Sequence, residues 1–142
     1  MGRFDGPHFE AEDEDVVSVW VGVVPKSEIP EDYFEEHYSD DDGDPFNAFS
    51  TDFGFGFYDH DFVEPAGSED GSVVPIEDAL ADASYSKSYR GAVAKRAAEL
   101  GITRSSFVFL MFNFKYDPAV TKITASKYFK FIGVFPFDTE AE

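Results

Sequence analysis

Residues 106–116 (SFVFLMFNFKY) are apolar at almost every position, and this run constrains the fold more than any other part of the chain. A strand with one side in water alternates apolar and polar residues. A run without that alternation suits a central strand covered on both faces of its sheet. Residues 16–24 (VVSVWVGVV), a β-branched run ended by Pro25, read as a second buried strand with Trp20 as a core residue at its middle. Residues 127–137 (KYFKFIGVFPF) read as the last strand, forming a Phe-rich hairpin with 106–116, and residues 62–64 as a short one.

Helical signals lie between these strands. Ser84-Tyr85-Ser86 opens the clearest helix, with Tyr85, Tyr89, Val93, Ala97 and Leu100 in one stripe and Gly101-Ile102 as its C-terminal cap. Residues 75–83 suit a helical turn or two. Ser27 can cap a helix running to Tyr38, with Pro30 in its first turn and Ile29, Tyr33, Phe34, His37 and Tyr38 on one face. Asp44-Pro45 starts a short helix with Phe46, Phe49 and Phe53 on one face and Gly54 as its stop. Residues 65–72 read as a flexible connector, Asp117-Pro118 as a strand breaker, and residues 1–15 as a mobile acidic tail. The expected fold is α+β: a single domain over residues 16–137, with a mixed four-stranded sheet, element order β-α-α-β-α-β-β, and helices mainly on one face.

Composition supports a folded domain. Of 142 residues, 43% are hydrophobic and 17 are Phe, enough for a core despite the charge. No run approaches the ~18 apolar residues of a membrane span, and the first residues show no secretory signal. With no cysteine, disulfides, thiolate metal sites and cysteine nucleophiles are excluded, which fits a reducing compartment.

The net charge is −18, and it is segregated. Residues 1–82 hold 24 Asp and Glu against two bases, Arg3 and Lys26, whereas residues 83–142 hold five acids and nine bases. Such a field repels nucleic acid and anionic membranes and steers basic partners toward the chain. Peculiarity concentrates in residues 31–64, where carboxylates and aromatics interleave without a single Lys or Arg. On the expected helix, Glu28, Asp32 and Glu36 form one i, i+4 ladder and Glu31 and Glu35 another pair. Three such like-charge pairs cost on the order of 1 kcal/mol, and an electrostatic partner is one reason to keep them. The loop SDDDGD fails the EF-hand template: with Gly43 in the glycine slot, Tyr38 and Phe49 fall where the first and last ligands belong. Asp59-His60-Asp61 reads as an exposed acidic turn, since no second ligand cluster is spaced to help it hold a metal.

Several segments, in order, resemble the immunity protein 22 family of bacterial polymorphic toxin systems. They are V-S-V-W-V-G (17–22), the acidic segment Tyr33-Phe34-Glu35-Glu36-His37-Tyr38, F-x-x-D-F-G (49–54), Y-D-x-D-F-x-E (58–64) and A-S-Y-S-x-S-Y (83–89). The resemblance covers residues 16 to 135. It implies a small cytoplasmic α+β protein that neutralises a cognate toxin, with no catalytic residues to carry over. The acidic loop and the Phe55-Gly56 insertion depart from it where toxin specificity would be set.

Three functions follow. In the first, the chain covers a basic, nuclease-type toxin domain through Glu31, Asp32, Glu35, Glu36, Asp40, Asp41, Asp42, Asp44, Asp59 and Asp61, with Tyr38, Tyr58 or exposed Phe residues as anchors. The second is a carboxylate-based hydrolase, for which the nucleophile-elbow, zinc and phosphate-loop motifs are all missing. The third is a salt-adapted acidic domain, against which the clustered late bases argue. No cofactor or metal is expected, and the partner is a protein rather than nucleic acid or membrane.

Overall fold

The computed structural model describes residues 7–36, 46–68 and 70–140. In chain order the strands are β1 (Val16–Gly22), β2 (Val63–Gly67), β3 (Val74–Pro75), β4 (Arg104–Ser105), β5 (Phe107–Phe112) and β6 (Phe129–Pro136). The helices are α1 (Ala48–Asp52), α2 (Ile76–Ala79), α3 (Arg90–Glu99) and α4 (Pro118–Thr121). Four strands form one sheet in the order β2-β5-β1-β6, and β3 and β4 form a small ribbon. The α+β architecture expected from the sequence is present, with every pairing in the main sheet antiparallel rather than mixed.

The two Phe-rich strands do not form a hairpin, because β1 lies between them and pairs with both. Two causes are visible. β1 is apolar on both faces and needs a neighbour on each edge. Residues 113–128 are far longer than a hairpin loop and carry α4, for which Asp117 supplies the cap and Pro118 the first residue. The Asp-Pro pair starts a helix as well as ending a strand. Residues 65–67, expected in a connector, extend the edge strand β2, where Pro65 lacks only a hydrogen bond that an edge can spare.

Alternation along the strands separates two apolar layers. Val17, Val19, Val21, Val108, Leu110, Phe112 and Ile132 face α2 and α3. Trp20, Phe109, Met111, Phe129 and Phe131 face the opposite way, onto α1 and the turns around it. A bulge between Val19 and Trp20 lets β6 keep this division, placing Phe131 opposite Trp20 and Gly133 opposite Val19.

The helical layer keeps the expected stripe but starts later than the sequence suggests: Tyr85 turns left-handed at φ 59, Ser86–Ser88 make a 3-10 turn, and α3 begins at Arg90 rather than at Ser84. Tyr89, Val93 and Ala97 are buried, and α3 ends with Gly101 at φ +86. There Ile102 N–H donates to Ala97 O and Gly101 N–H to Ala98 O, the paired bonds of a Schellman cap. The other layer is nearly all rings. Trp20 is fully buried against Phe49 and Phe131, with centroids 5.1 and 5.2 Å away, and its Nε1 has no hydrogen-bond partner among the described residues. Phe9 also enters this layer, within 5.3 Å of Tyr116, while Lys115 N–H donates to its carbonyl oxygen. The segment at residues 9–11, expected as part of a mobile tail, pairs with residues 113–115.

Candidate functional site

The acidic surface is the outer side of the ring layer. Pro30 holds Ile29 extended at φ −81, ψ 125, so the helix expected from Ser27 to Tyr38 stops after the single 3-10 turn Lys26–Glu28. Residues 31–34 form turns instead, with Tyr33 N–H bonded to Pro30 O. The i, i+4 ladders of like charge are therefore not built, and their repulsion carries no functional argument.

The turn still sorts its residues. Tyr33 and Phe34 point inward: Phe34 stacks on Phe109 at 4.5 Å and 19°, and Tyr33 lies parallel to Phe129 at 5.9 Å. The Tyr33 hydroxyl donates to Asp52 Oδ2 at 2.7 Å, and burial pushes this phenol well above the usual tyrosine range. Glu31, Asp32 and Glu35 point outward and are exposed. Interleaving of acids and aromatics along this stretch is thus rings inward and carboxylates outward.

Asn47 joins the pieces. Buried at the start of α1, it caps that helix through Oδ1, which accepts from Ser50 N at 2.8 Å. Its Nδ2 donates to the Tyr58 hydroxyl at 2.7 Å. The cap is Asn47, not Asp44, although Phe46, Phe49 and Phe53 are buried together as expected. Tyr58, named as a surface anchor, is 2% exposed and belongs to the interior. Its ring is one of those holding the layer together.

Beyond Tyr58 the chain makes the 3-10 turn His60–Phe62, where Asp59 Oδ1 accepts from Asp61 N at 2.9 Å. Asp59 and Asp61 are exposed. His60 Nδ1 lies 2.8 Å from Glu36 Oε2, tying this turn to the first one, and the Glu36 carboxylate raises the imidazole pKa. Among the described residues, Glu31, Asp32, Glu35, Asp59 and Asp61 form no ion pair with Lys or Arg; Arg96 pairs with Glu99 and Lys115 with Glu14. Tyr38, Asp40, Asp41, Asp42 and Asp44 lie outside the described residues.

Sequence reasoning missed two residues here. Asn47 had a usable signal, a cap-type residue just before the helical Ala-Phe-Ser-Thr-Asp. Phe62, 40% exposed beside Asp61, had none, because its strand-like context reads as interior. Among the described residues no group of three or more His, Cys, Asp or Glu is arranged to hold a metal ion, and no helix is long and apolar enough to cross a membrane.

A family model described as Immunity protein 22 matches residues 17–138 of the chain. No curated protein and no solved structure matches it.

Proposed function

From the premise that this chain belongs to the Immunity protein 22 family, whose function is immunity against a toxin, we propose that its cognate toxin is a basic, nuclease-type domain bound on the acidic face. The observation that carries the reading is the set of exposed carboxylates, Glu31, Asp32, Glu35, Asp59 and Asp61, held outward on two turns and without Lys or Arg partners among the described residues. Unpaired surface charge of one sign accelerates encounter with an oppositely charged partner and repels nucleic acid and anionic lipid. The mechanism is occlusion: carboxylates occupy the positions on the toxin where phosphates would bind. No chemical step is required of the chain. Its place of action on this reading is the cytoplasm of the toxin-producing bacterium or its kin.

Stopped-flow association of the chain with the basic toxin domain encoded beside it tests the reading. The variant E31Q/D32N/E35Q/D59N/D61N should associate at least tenfold more slowly at low salt and show a flatter salt dependence. Equal rates for the two proteins in low salt would remove the electrostatic mechanism.

A further inference from the structure

Among the described residues four large apolar side chains stand exposed, Val23, Phe62, Val73 and Val120, and Phe62 is the one aromatic. Their electrical surroundings differ. Val23 and Val73 line a groove with Arg104, and Val120 lines one with Lys115. Phe62 stands between two depressions, neither of which has Lys or Arg among its described lining residues. One, of about 30 Å³, is floored by Val63, Met111 and Phe114 and rimmed by Glu10, Glu12 and Asp59. The other, of about 320 Å³, carries Asp15, Asp61 and Glu64 beside Tyr85. Glu64 is fixed in place, accepting from Ser84 N at 2.8 Å and Ser84 Oγ at 2.7 Å.

An exposed ring whose charged neighbours in both depressions, among the described residues, are carboxylates suits one kind of group. A neutral apolar side chain would fill the small depression and leave the surrounding charge unanswered. A lysine ammonium would answer the charge but is compact and strongly hydrated, and would not cover the ring. A guanidinium is planar, weakly hydrated and stacks on aromatic faces while its N–H groups reach carboxylates. We propose that Phe62 is the anchor on which an arginine side chain of the toxin domain docks, its plane against the ring and its N–H groups directed to Asp59 and Asp61. The proposal rests on the reading that the partner is basic. It moves the centre of the interface from residues 31–44 to the start of β2 and the neighbouring residues 10–15. Association rate then comes from the wide acidic field, and lifetime from this one contact.

The probe is an octapeptide amide of alternating Gly and Arg, with its citrulline counterpart as a neutral control of the same shape. Each is titrated into the ¹⁵N-labelled full chain at low salt. The arginine peptide should shift the amides of Asp61, Phe62, Val63 and Asn113, and the citrulline peptide should not. F62A should weaken peptide binding roughly two- to fivefold, F62L should do the same, and F62W should restore it. Against the toxin domain F62A should raise the dissociation rate about 30-fold with the association rate little changed. Shifts confined to residues 31–36, equal response to the citrulline peptide, or full binding by F62A would overturn the anchor. Co-expression separates the two readings. Arginine-peptide binding at Phe62 in a chain that does not protect cells from the neighbouring toxin overturns the proposed function alone. Protection accompanied by unaltered toxin release from F62A overturns the anchor alone.

Discussion

Under α2 and α3 the sheet is covered mostly by aliphatic side chains at helical spacing, with Tyr89 among them, whereas the opposite face is covered by rings carried mostly on turns. The contrast reaches into the hydrogen bonding. A helix satisfies its own backbone, so the layer built by α3 needs side-chain help only at its ends. Turns leave carbonyls and N–H groups over, and the ring layer meets them with the polar tips of buried residues. The Tyr116 hydroxyl lies 2.8 Å from both Phe53 O and Ile123 O, Ser18 Oγ donates to Phe114 O at 2.6 Å, and Asn47 serves α1 and Tyr58. Aromatics suit this task because one residue supplies large apolar area and, in Tyr, a hydrogen-bonding end. A turn-built layer is also free of the i, i+4 rule, so it can carry like charges outward without stacking them along a helix. The acidic surface lies on this face for a structural reason.

The largest test of this contrast removes one ring from the turn-built layer and one aliphatic side chain from the helical layer. Phe49 meets Trp20, Phe53 and Phe109 at 4.8 to 5.2 Å, and Leu80 is fully buried at the C-terminal end of α2. Phe49→Ala should cost about 3–5 kcal/mol and Leu80→Ala about 2–5 kcal/mol in urea unfolding. Trp20, the only tryptophan, reports on the ring layer alone. Native-state emission should therefore shift in the Phe49 variant and hold steady in the Leu80 variant. Equal shifts would mean that the two layers are one mechanical unit, and the comparison would break.

The same contrast explains what the sequence could and could not disclose. The stripe Tyr89-Val93-Ala97 with Gly101 behind it is legible because helical spacing is a local rule, and the apolar run of residues 107–112 is legible because full burial erases alternation. The hairpin expectation failed because strand order is set by which strand needs two neighbours, and that is a property of the whole sheet. The expected helix after Ser27 failed on Pro30: the proline suits a first turn, but its restriction on Ile29 ends the 3-10 turn before a helix can grow. Exposed acids at 31, 32, 35, 59 and 61 were legible, since carboxylates rarely go inside unpaired. Which aromatics stayed outside was not. Tyr58 and Phe62 are four residues apart in similar company, and what separates them is tertiary: Asn47 and the rings of Phe46, Phe49, Phe55 and Phe109 enclose Tyr58.

A smaller effect isolates the polar ties of the ring layer. Asn47→Ala removes the α1 cap and an interior hydrogen bond to Tyr58, at about 2 kcal/mol. Asn47→Ser keeps a cap and loses the amide donor, so about half of that cost should remain. Hydrogen exchange at Phe53 and Gly54, whose amides close α1, should quicken in the Ala variant, with α3 amides unchanged. On the helical side the matching probe is stabilising. Gly91 lies exposed in the first turn of α3, and a Cβ there would meet no described atom within 4 Å beyond its chain neighbours and the helix's own backbone. Gly91→Ala should raise stability by about 0.5 kcal/mol, read as a higher urea midpoint. A loss there would mean that α3 does not follow helix propensity, and the two layers would differ less than proposed.

The smallest effect concerns the clasp between the two acidic turns. His60 is bonded to Glu36 at 2.8 Å, and its pKa lies above the ordinary 6.5, first through that hydrogen bond and then through the charges of Glu36, Asp61 and Asp59. A folded-state pKa above the unfolded one means that the native protein binds the proton more tightly. The contribution is therefore complete below pH 6.5 and disappears as pH rises through the raised folded value. His60 is largely exposed, so screening keeps the effect small. Urea midpoints of the parent chain and His60→Gln should differ near pH 6 and converge above pH 8, with added salt narrowing the gap. Because subtraction of the variant removes the other histidines, any residual slope belongs to His60 and the carboxylates around it. Identical midpoints at pH 6 would show that the 31–36 and 59–62 turns are held in place without this clasp, and that it adds nothing to the surface they present.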